Sequence, residues 1–225
     1  MIIPSILEPT FEKVQEKIKI AEGFAPAIQI DIVDNKLVSG KTFLEIEKLD
    51  KIETKAKLEI HLMVKNPVEF LNSNRKFIPF TTVKIRNVNT VFTQPVEPGQ
   101  METFFKLAKK LGYKTGISIN VDQDNELIDP YAKDIDFAQF MAVIPGKQGN
   151  DFIPEVLSKI VAFKKAHPSI TTQIDGGVNE TTLPQVLKTG VDNVVIGSAI
   201  FNSVNPKEKY LEFSKTAHGQ GINSK

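Results

Sequence analysis

The chain has 225 residues, of which 24% are charged, and its formal net charge is +1. This balance gives no broad basic surface, so the composition argues against a nucleic-acid partner and permits a small phosphorylated ligand. There is no cysteine, which excludes disulfides and thiolate chemistry. No apolar run reaches the length of a membrane span, and the first residues have no basic lead, so we expect no membrane partner and a cytoplasmic location.

Eight short apolar runs recur along the chain and have the composition of β-strands. They cover residues 2–7, 27–33, 58–64, 81–85, 115–119, 137–144, 171–174 and 193–196. The alternation of such runs with helical segments predicts an α/β protein of the (β/α)8 TIM-barrel class. No linker composition divides the chain, so we predict a single barrel domain over residues 1–215 and a flexible tail over residues 216–225.

The segments between the runs carry apolar residues at spacings of three and four, which is typical of helices that cover a sheet. The clearest lie at residues 11–21, 101–111, 153–166 and 181–189, whereas the second and fifth helical segments are the weakest predictions. Thr10, Asn66-Pro67 and Asn179 are predicted helix starts, and Gly112 and Gly190 are predicted helix ends.

Side chains at the C-terminal ends of the strands line the functional face of such a barrel. Because side chains alternate along a strand, Gln29 and Asp31 share one face of the second strand, as His61 and Met63 do on the third. Asp31 interrupts an apolar strand, and a buried carboxylate requires a partner or a metal; an aspartate that caps a loop is the alternative. With Asp175, these residues include one histidine and two aspartates, the ligand types of a Zn, Mn or Fe centre.

Glycine turns follow the last two predicted strands. Asp175 is followed by Gly176 and Gly177, and the eighth strand is followed by Gly197 and Ser198. Exposed N–H groups at such turns favour a phosphate, and glycine lets the backbone approach it closely. An ordinary turn is the alternative interpretation for each motif.

Two further features each allow two interpretations. Lys84 and Arg86 alternate on the predicted fourth strand, so Lys84 brings a cation near the site if it points inward, and outward salt bridging is the alternative. The loop at residues 145–149 contains Gly146 and Gly149 and could close over a substrate, although a plain turn is the commoner structure.

The chain resembles the ribulose-phosphate 3-epimerase family over nearly its whole length. The segments that carry the resemblance, in the order and spacing of the family, are Pro-Ser-Ile-Leu at 4–7, Ile-Asp-Ile-Val-Asp at 30–34, His-Leu-Met-Val at 61–64 with Asn-Pro at 66–67, Met-Ala-Val-Ile-Pro-Gly from 141 through Gly149, Asp-Gly-Gly-Val-Asn at 175–179 and Gly-Ser-Ala-Ile-Phe at 197–201. The resemblance implies a (β/α)8 barrel that interconverts ribulose 5-phosphate and xylulose 5-phosphate. It also implies a phosphorylated ketose substrate and one divalent metal, either Zn, Mn or Fe. We expect a homo-oligomer.

The same resemblance assigns roles to individual residues. It implies that Asp31 and Asp175 are the two acid/base carboxylates on opposite faces of the sugar, and that both ligate the metal together with His61. The remaining site residues are expected to contact the substrate or its phosphate: Ser5, Met63, Asn120, Met141, Gly146, Gly149, Gly176, Gly177, Gly197 and Ser198.

The sequence departs from the family pattern at several positions. Gln29 stands where the family has a histidine ligand, and an amide oxygen would be at most a weak fourth ligand. Lys84-Ile85-Arg86 stands where the family usually shows His-x-Glu on the fourth strand. These departures leave open an epimerase or lyase that acts on another ketose phosphate, such as a six-carbon one, with Lys84 serving the lyase. They also leave open a pseudoenzyme that binds sugar phosphate without turning it over.

Overall fold

The structure is a computed structural model that describes residues 1–73, 84–145 and 149–219. Eight parallel strands close into a barrel in which each strand pairs with its neighbours in sequence and the first pairs with the last. The strands are β1 (Ile2–Ile6), β2 (Ala27–Val33), β3 (Lys57–Met63), β4 (Val88–Thr93), β5 (Lys114–Ile119), β6 (Phe137–Met141), β7 (Thr171–Asp175) and β8 (Asn193–Ile196). The predicted (β/α)8 barrel is therefore confirmed.

Helices follow most of the strands and cover the outside of the barrel. They are α1 (Phe11–Ala21), α2 (Pro67–Ser73), α3 (Pro98–Lys110), α4 (Val156–Ala166), α5 (Leu183–Leu187), α6 (Ser198–Phe201) and α7 (Pro206–Gly219). Between β2 and β3 a 3₁₀ turn at Ile46–Lys51 replaces the α-helix, and between β5 and β6 two 3₁₀ turns at Asn125–Leu127 and Asp129–Tyr131 do so. These two connections are the ones where the helical pattern of the sequence was weakest.

Local hydrogen bonds and backbone conformation explain the predicted starts and ends of the helices. The Thr10 hydroxyl accepts a hydrogen bond from the backbone N–H of Lys13, and the Asn66 side-chain oxygen accepts one from the backbone N–H of Glu69. Each satisfies an N–H group that has no acceptor within its own helix. At the end of α3, Gly112 has a φ of 74°, a conformation that glycine adopts without steric cost.

The strands separate an apolar outer layer from a barrel interior in which polar side chains are buried together with apolar ones. On β2 the outward residues Ile28, Ile30 and Ile32 are fully buried in the apolar core between the barrel and its covering helices. The inward residues of the barrel include Gln29 and His61, which are also fully buried. A buried polar group costs free energy unless it is hydrogen-bonded, so this interior needs a network of partners.

The fourth strand does not lie where the sequence analysis placed it. It spans Val88–Thr93, whereas the prediction was residues 81–85, of which 81–83 lie outside the described residues. The run Val-Asn-Thr-Val-Phe-Thr mixes polar and apolar residues without regular alternation, so its pattern alone did not predict a strand. It forms one because it pairs with β3 and β5, which supply its hydrogen bonds.

The last helix extends into the segment that was expected to be a tail. α7 continues through Gly219, and Ala217 is buried against the barrel. Residues 220–225 lie outside the described residues. Within the part of the chain that the structure describes, no helix combines the length and apolar character that crossing a membrane requires.

Candidate active site

Two aspartates and a histidine converge at the C-terminal end of the barrel. Asp31 on β2 lies level with His61 on β3, and Asp175 is the last residue of β7. One potential ligand atom from each residue lies within 4.8 Å of those of the other two. The closed barrel thus brings together the three residues that the sequence analysis proposed as a metal centre, although Asp175 is far from the other two along the chain.

The side chain of Gln29 lies between the two carboxylates. Its Nε2 donates to Asp31 Oδ1 at 2.8 Å and to Asp175 Oδ2 at 2.7 Å. Its Oε1 accepts a hydrogen bond from Gln173 Nε2 at 3.1 Å. In this orientation Gln29 presents a donor, not an oxygen ligand, to the carboxylates that were predicted to hold the metal.

The environment of Asp175 favours its protonated form. Burial in the barrel interior raises the pKa of this carboxyl well above its usual range, and the negative charge of Asp31 raises it further. The hydrogen bond from Gln29 acts in the opposite direction because it stabilises the carboxylate. When two neighbouring carboxyl groups have different environments, one can act as an acid and the other as a base.

His61 is held in a fixed orientation. Its ring is stacked on Phe92, with 4.6 Å between ring centroids and 7° between planes, and its Nδ1 lies 3.2 Å from Asp31 Oδ1. Its buried Nε2 has no hydrogen-bond partner among the described residues. An imidazole nitrogen of His61 lies within 4.8 Å of both carboxylates, and this combination fits a divalent metal site with N and O ligands.

An open cavity lies above these residues at the mouth of the barrel. Asp31 and Asp175 form part of its wall, and most of the other predicted site residues line it as well: Ser5, Met63, Met141, Gly149, Gly176, Gly177, Gly197 and Ser198. Leu7, Val143 and Val195 line the cavity too and were not predicted. The cavity is therefore built mainly from the strand ends that the sequence analysis selected.

Gly176, Gly177 and Gly197 could not carry a side chain without rearrangement, and a Cβ on Gly176 would lie 2.5 Å from the Val143 side chain. Gly177 has a φ of 66°, and a Cβ on it would lie 2.8 Å from the Phe152 backbone. A Cβ on Gly197 would lie 2.7 Å from the Ser5 hydroxyl oxygen. Gly197 immediately precedes α6, whose first N–H groups have no acceptors within the helix. These close approaches leave backbone, not side chains, at this wall of the cavity.

The other predicted positions lie elsewhere. Asn120 follows β5 and accepts a hydrogen bond from Gln94 Nε2 at 3.0 Å, and it does not line the cavity. Gly146 lies outside the described residues. Lys84 and Arg86 precede β4, and Lys84 Nζ donates to the backbone oxygen of Gly112, just before β5.

These contacts place Lys84 at the N-terminal end of the barrel, opposite the cavity. Of the two alternatives left open for Lys84, the one in which it points inward and brings a cation to the site is therefore wrong. The cause is the misplaced fourth strand: the residues that approach the mouth of the barrel at this position are those at the end of Val88–Thr93.

The model of the ribulose-phosphate 3-epimerase family matches residues 1–201 of this sequence. The chain belongs to this family. A ribulose-phosphate 3-epimerase from Buchnera aphidicola is 32% identical over 215 residues, with 91% of this chain and 90% of the relative covered. One from Bacillus subtilis is 29% identical over 219 residues, covering 94% of this chain and 96% of the relative. Family membership thus agrees with the resemblance inferred from the sequence.

Solved structures show that the barrel architecture is shared more widely than the family. A 3-hexulose-6-phosphate synthase has a TM-score of 0.68 at 15% identity, covering 96% of this chain and 99% of the other. An orotidine 5′-monophosphate decarboxylase from Sulfolobus solfataricus has a TM-score of 0.64 at 10% identity, with 97% and 98% covered. At such low identity the similarity concerns the fold alone.

Two buried glutamines of this epimerase-family site were missed by the sequence analysis. Gln139 Nε2 lies 3.3 Å from Asp175 Oδ2 and 3.4 Å from His61 Nδ1, and Gln173 Nε2 donates to Gln139 Oε1 at 2.9 Å. Both glutamines precede a predicted site residue by two positions, Gln139 before Met141 and Gln173 before Asp175. The strand period of two was therefore a signal that could have placed them inside the barrel.

Proposed function

We propose that the chain interconverts D-ribulose 5-phosphate and D-xylulose 5-phosphate by proton transfer at C3 between Asp31 and Asp175. The observation that carries this proposal is the pairing of the two carboxyl groups at the barrel mouth, both hydrogen-bonded to one amide nitrogen. Family membership supports it, as do relatives named ribulose-phosphate 3-epimerase in bacteria and plants.

The chemistry requires two acid/base groups and nothing that is oxidised or reduced. A base on one face of the sugar removes the proton from C3, and the electron pair of the C–H bond moves into an enediolate with the neighbouring ketone. An acid on the other face then delivers a proton to C3, which inverts the configuration. After turnover the two carboxyl groups have exchanged protonation states, so the same pair serves the reverse reaction.

The environments of the two groups suggest their starting roles. Asp175 has the raised pKa, so we assign it as the group that holds a proton when the substrate arrives. Asp31 then acts as the base in that direction. Gln139 and Gln29, which both contact Asp175, keep this carboxyl in the mouth of the barrel.

The residues present fit a divalent metal. Asp31, His61 and Asp175 would hold it, and it would supply positive charge that stabilises the enediolate oxygens. His61 contributes a ring that stacking on Phe92 keeps in place, so a nitrogen ligand is already oriented. Zn, Mn and Fe are each compatible with this set of two oxygen ligands and one nitrogen ligand.

The phosphate of the substrate is assigned to the wall made by Gly177, Gly197 and Ser198. Here the backbone borders the cavity, and α6 begins at Ser198 with N–H groups that have no acceptors within the helix. Ser5 lies against Gly197 and can contact the ligand through its hydroxyl group. A phosphate held here fixes the position of C3 relative to the two carboxyl groups.

The test is turnover of ribulose 5-phosphate by the purified protein in D₂O. We expect xylulose 5-phosphate to form with deuterium at C3, and absence of both the product and the label would refute the proposal. Asp175→Asn should lower kcat by about 10²–10⁴-fold, because general acid–base catalysis contributes this much and the amide cannot exchange this proton. Its matched control is Asp124→Asn at an exposed position, which should retain activity.

A further inference from the structure

Three amide side chains form a continuous series of hydrogen bonds inside the barrel: Gln29 and Gln173 are buried, and Asn193 is half-buried. Asn193 Nδ2 donates to Gln173 Oε1 at 3.2 Å, and Gln173 Nε2 donates to Gln29 Oε1 at 3.1 Å. Gln29 Nε2 then donates to Asp31 at 2.8 Å and to Asp175 at 2.7 Å. The series therefore ends with one amide nitrogen bridging the two carboxyl groups at the barrel mouth.

The surroundings of Gln173 fix the direction of this series. Its Nε2 lies among three acceptors: Gln29 Oε1, Gln139 Oε1 at 2.9 Å and Glu59 Oε2 at 3.5 Å. Its Oε1 faces the donor group of Asn193. Rotating the Gln173 amide by half a turn would place an oxygen among acceptor oxygens, so Gln173 presents its nitrogen to Gln29.

The orientation of Gln29 follows from its neighbours on both sides. If its amide were reversed, its oxygen would lie at 2.7–2.8 Å from the oxygens of Asp31 and Asp175. Its nitrogen would then face the nitrogen of Gln173. The contact of this oxygen with the Asp31 carboxylate and the contact between the two amide nitrogens would both be repulsive, and the hydrogen bond to Asp31 would be lost. The observed orientation is therefore the one that satisfies the buried groups.

We propose that Gln29 is a positioning residue that holds the two reacting carboxyl groups through its amide nitrogen and is not a metal ligand. This inference rests on the proposed function in one respect, namely that Asp31 and Asp175 carry out the chemistry. A metal in this site would then have three protein ligands, because the amide oxygen of Gln29 is engaged by Gln173.

The proposal makes a prediction for Gln29→Met, which keeps a similar side-chain length and volume but has no donor and no oxygen. Loss of the bridging nitrogen should let the two carboxyl groups separate, so kcat should fall by more than fivefold while KM changes by less than threefold. The affinity for Mn²⁺ should stay within fivefold of that of the wild type or increase, because no ligand has been removed.

Gln29→His is the companion variant. An imidazole is a good ligand for Mn²⁺ and Zn²⁺, so a residue that adds a ligand at this position should raise the affinity for Mn²⁺ by more than fivefold. The affinity is measured by calorimetric titration of the chelator-stripped protein with Mn²⁺ alone, and kcat and KM are measured on the metal-loaded enzymes. Circular dichroism confirms that each variant is folded.

Two results for Gln29→Met would overturn the proposal. If Gln29→Met weakens Mn²⁺ binding by more than fivefold, Gln29 is a ligand. If the kcat of Gln29→Met remains within fivefold of the wild type, Gln29 does not position the carboxyl groups. Failure of the proposed function is distinguishable from both, because it appears as absence of turnover in the wild type, whereas the Mn²⁺ titration needs no turnover.

Gln173→Met provides a second route if Gln29→Met does not fold. It leaves Gln29 in place and removes the group that orients its amide. We expect kcat to fall by more than threefold. KM should not rise, and the affinity for Mn²⁺ should not weaken. An unchanged kcat in this variant would show that the series of amides does not orient Gln29 and would overturn the proposal.

Discussion

Glu59 is an acidic residue of β3 that lies inside the barrel, two positions before His61. Its substitution tests how much a buried charge costs in the barrel interior. Burial raises the pKa of Glu59 from its usual value of 4.5 to about 7, and the Gln173 hydrogen bond and the charge of Lys114 only partly oppose this. We therefore expect Glu59→Gln to stabilise the protein at alkaline pH.

The sign of the effect follows from proton binding. Between pH 4.5 and about 7 the unfolded chain has released the Glu59 proton while the folded protein still holds it. The contribution of this group to stability is therefore fully present below pH 4.5, falls as the pH rises toward 7, and stays lost above that.

The magnitude can be estimated from the size of the shift. A difference of about 2.5 pKa units corresponds to roughly 3.4 kcal/mol at 1.36 kcal/mol per unit. Glu59 is only half-buried, so solvent reduces the cost of the charged form, and we expect a gain of about 2 kcal/mol for the variant at pH 8. For a chain of this length that corresponds to an increase of roughly 4–8 °C in Tm.

The assay is urea denaturation of the wild type, Glu59→Gln and the exposed control Glu126→Gln at pH 4.5 and pH 8. For each variant the free energy of unfolding of the wild type is subtracted, and this difference is compared between the two pH values. The subtraction removes the effect of the other titrating groups, which are the same in both proteins. If that difference is the same within about 0.5 kcal/mol at both pH values, Glu59 does not have a raised pKa and the reasoning fails.

Four further predictions address other parts of the site. Gly177→Ala should raise KM by at least tenfold in steady-state assays, because the added Cβ forces the backbone away from Phe152; an unchanged KM would remove this turn from the phosphate site. Phe92→Leu should weaken Mn²⁺ binding by about 10-fold in calorimetry, because the ring that supports His61 is lost; equal affinity would show that stacking is not needed. Lys84→Met should leave kcat/KM within twofold, and a large loss would contradict its position away from the cavity. Removal of metal with a chelator should lower kcat, with recovery when Mn²⁺ is restored; full activity in the metal-free protein would exclude a catalytic metal.

Much of the architecture could be predicted because its signals are local. The run Ala27–Val33 was predicted with the bounds that the structure shows, since an apolar strand between polar segments is a pattern of neighbouring residues. Asp31 and Asp175 could be selected as candidates because each is a carboxylate in or next to the C-terminal part of an apolar strand. Their selection needed only the strand period and the rule that barrel sites lie at strand ends.

The fourth strand shows where local pattern was insufficient. Val88–Thr93 has an irregular mixture of polar and apolar residues, and Lys84-Ile85-Arg86 has a more regular alternation just before it. Pairing with β3 and β5 decides the position of the strand, because each edge of the barrel must be closed by backbone hydrogen bonds. That requirement is a property of the whole sheet.

The sequence by itself determined the fold class, the family and the identity of the acidic pair, because these depend on residue types and on their order along the chain. Only the tertiary structure decided that Gln29 acts as a donor to both carboxyl groups, since that orientation depends on Gln173, 144 positions away in the chain. Closure of the barrel places these amides side by side, and their hydrogen bonds then select one orientation for each.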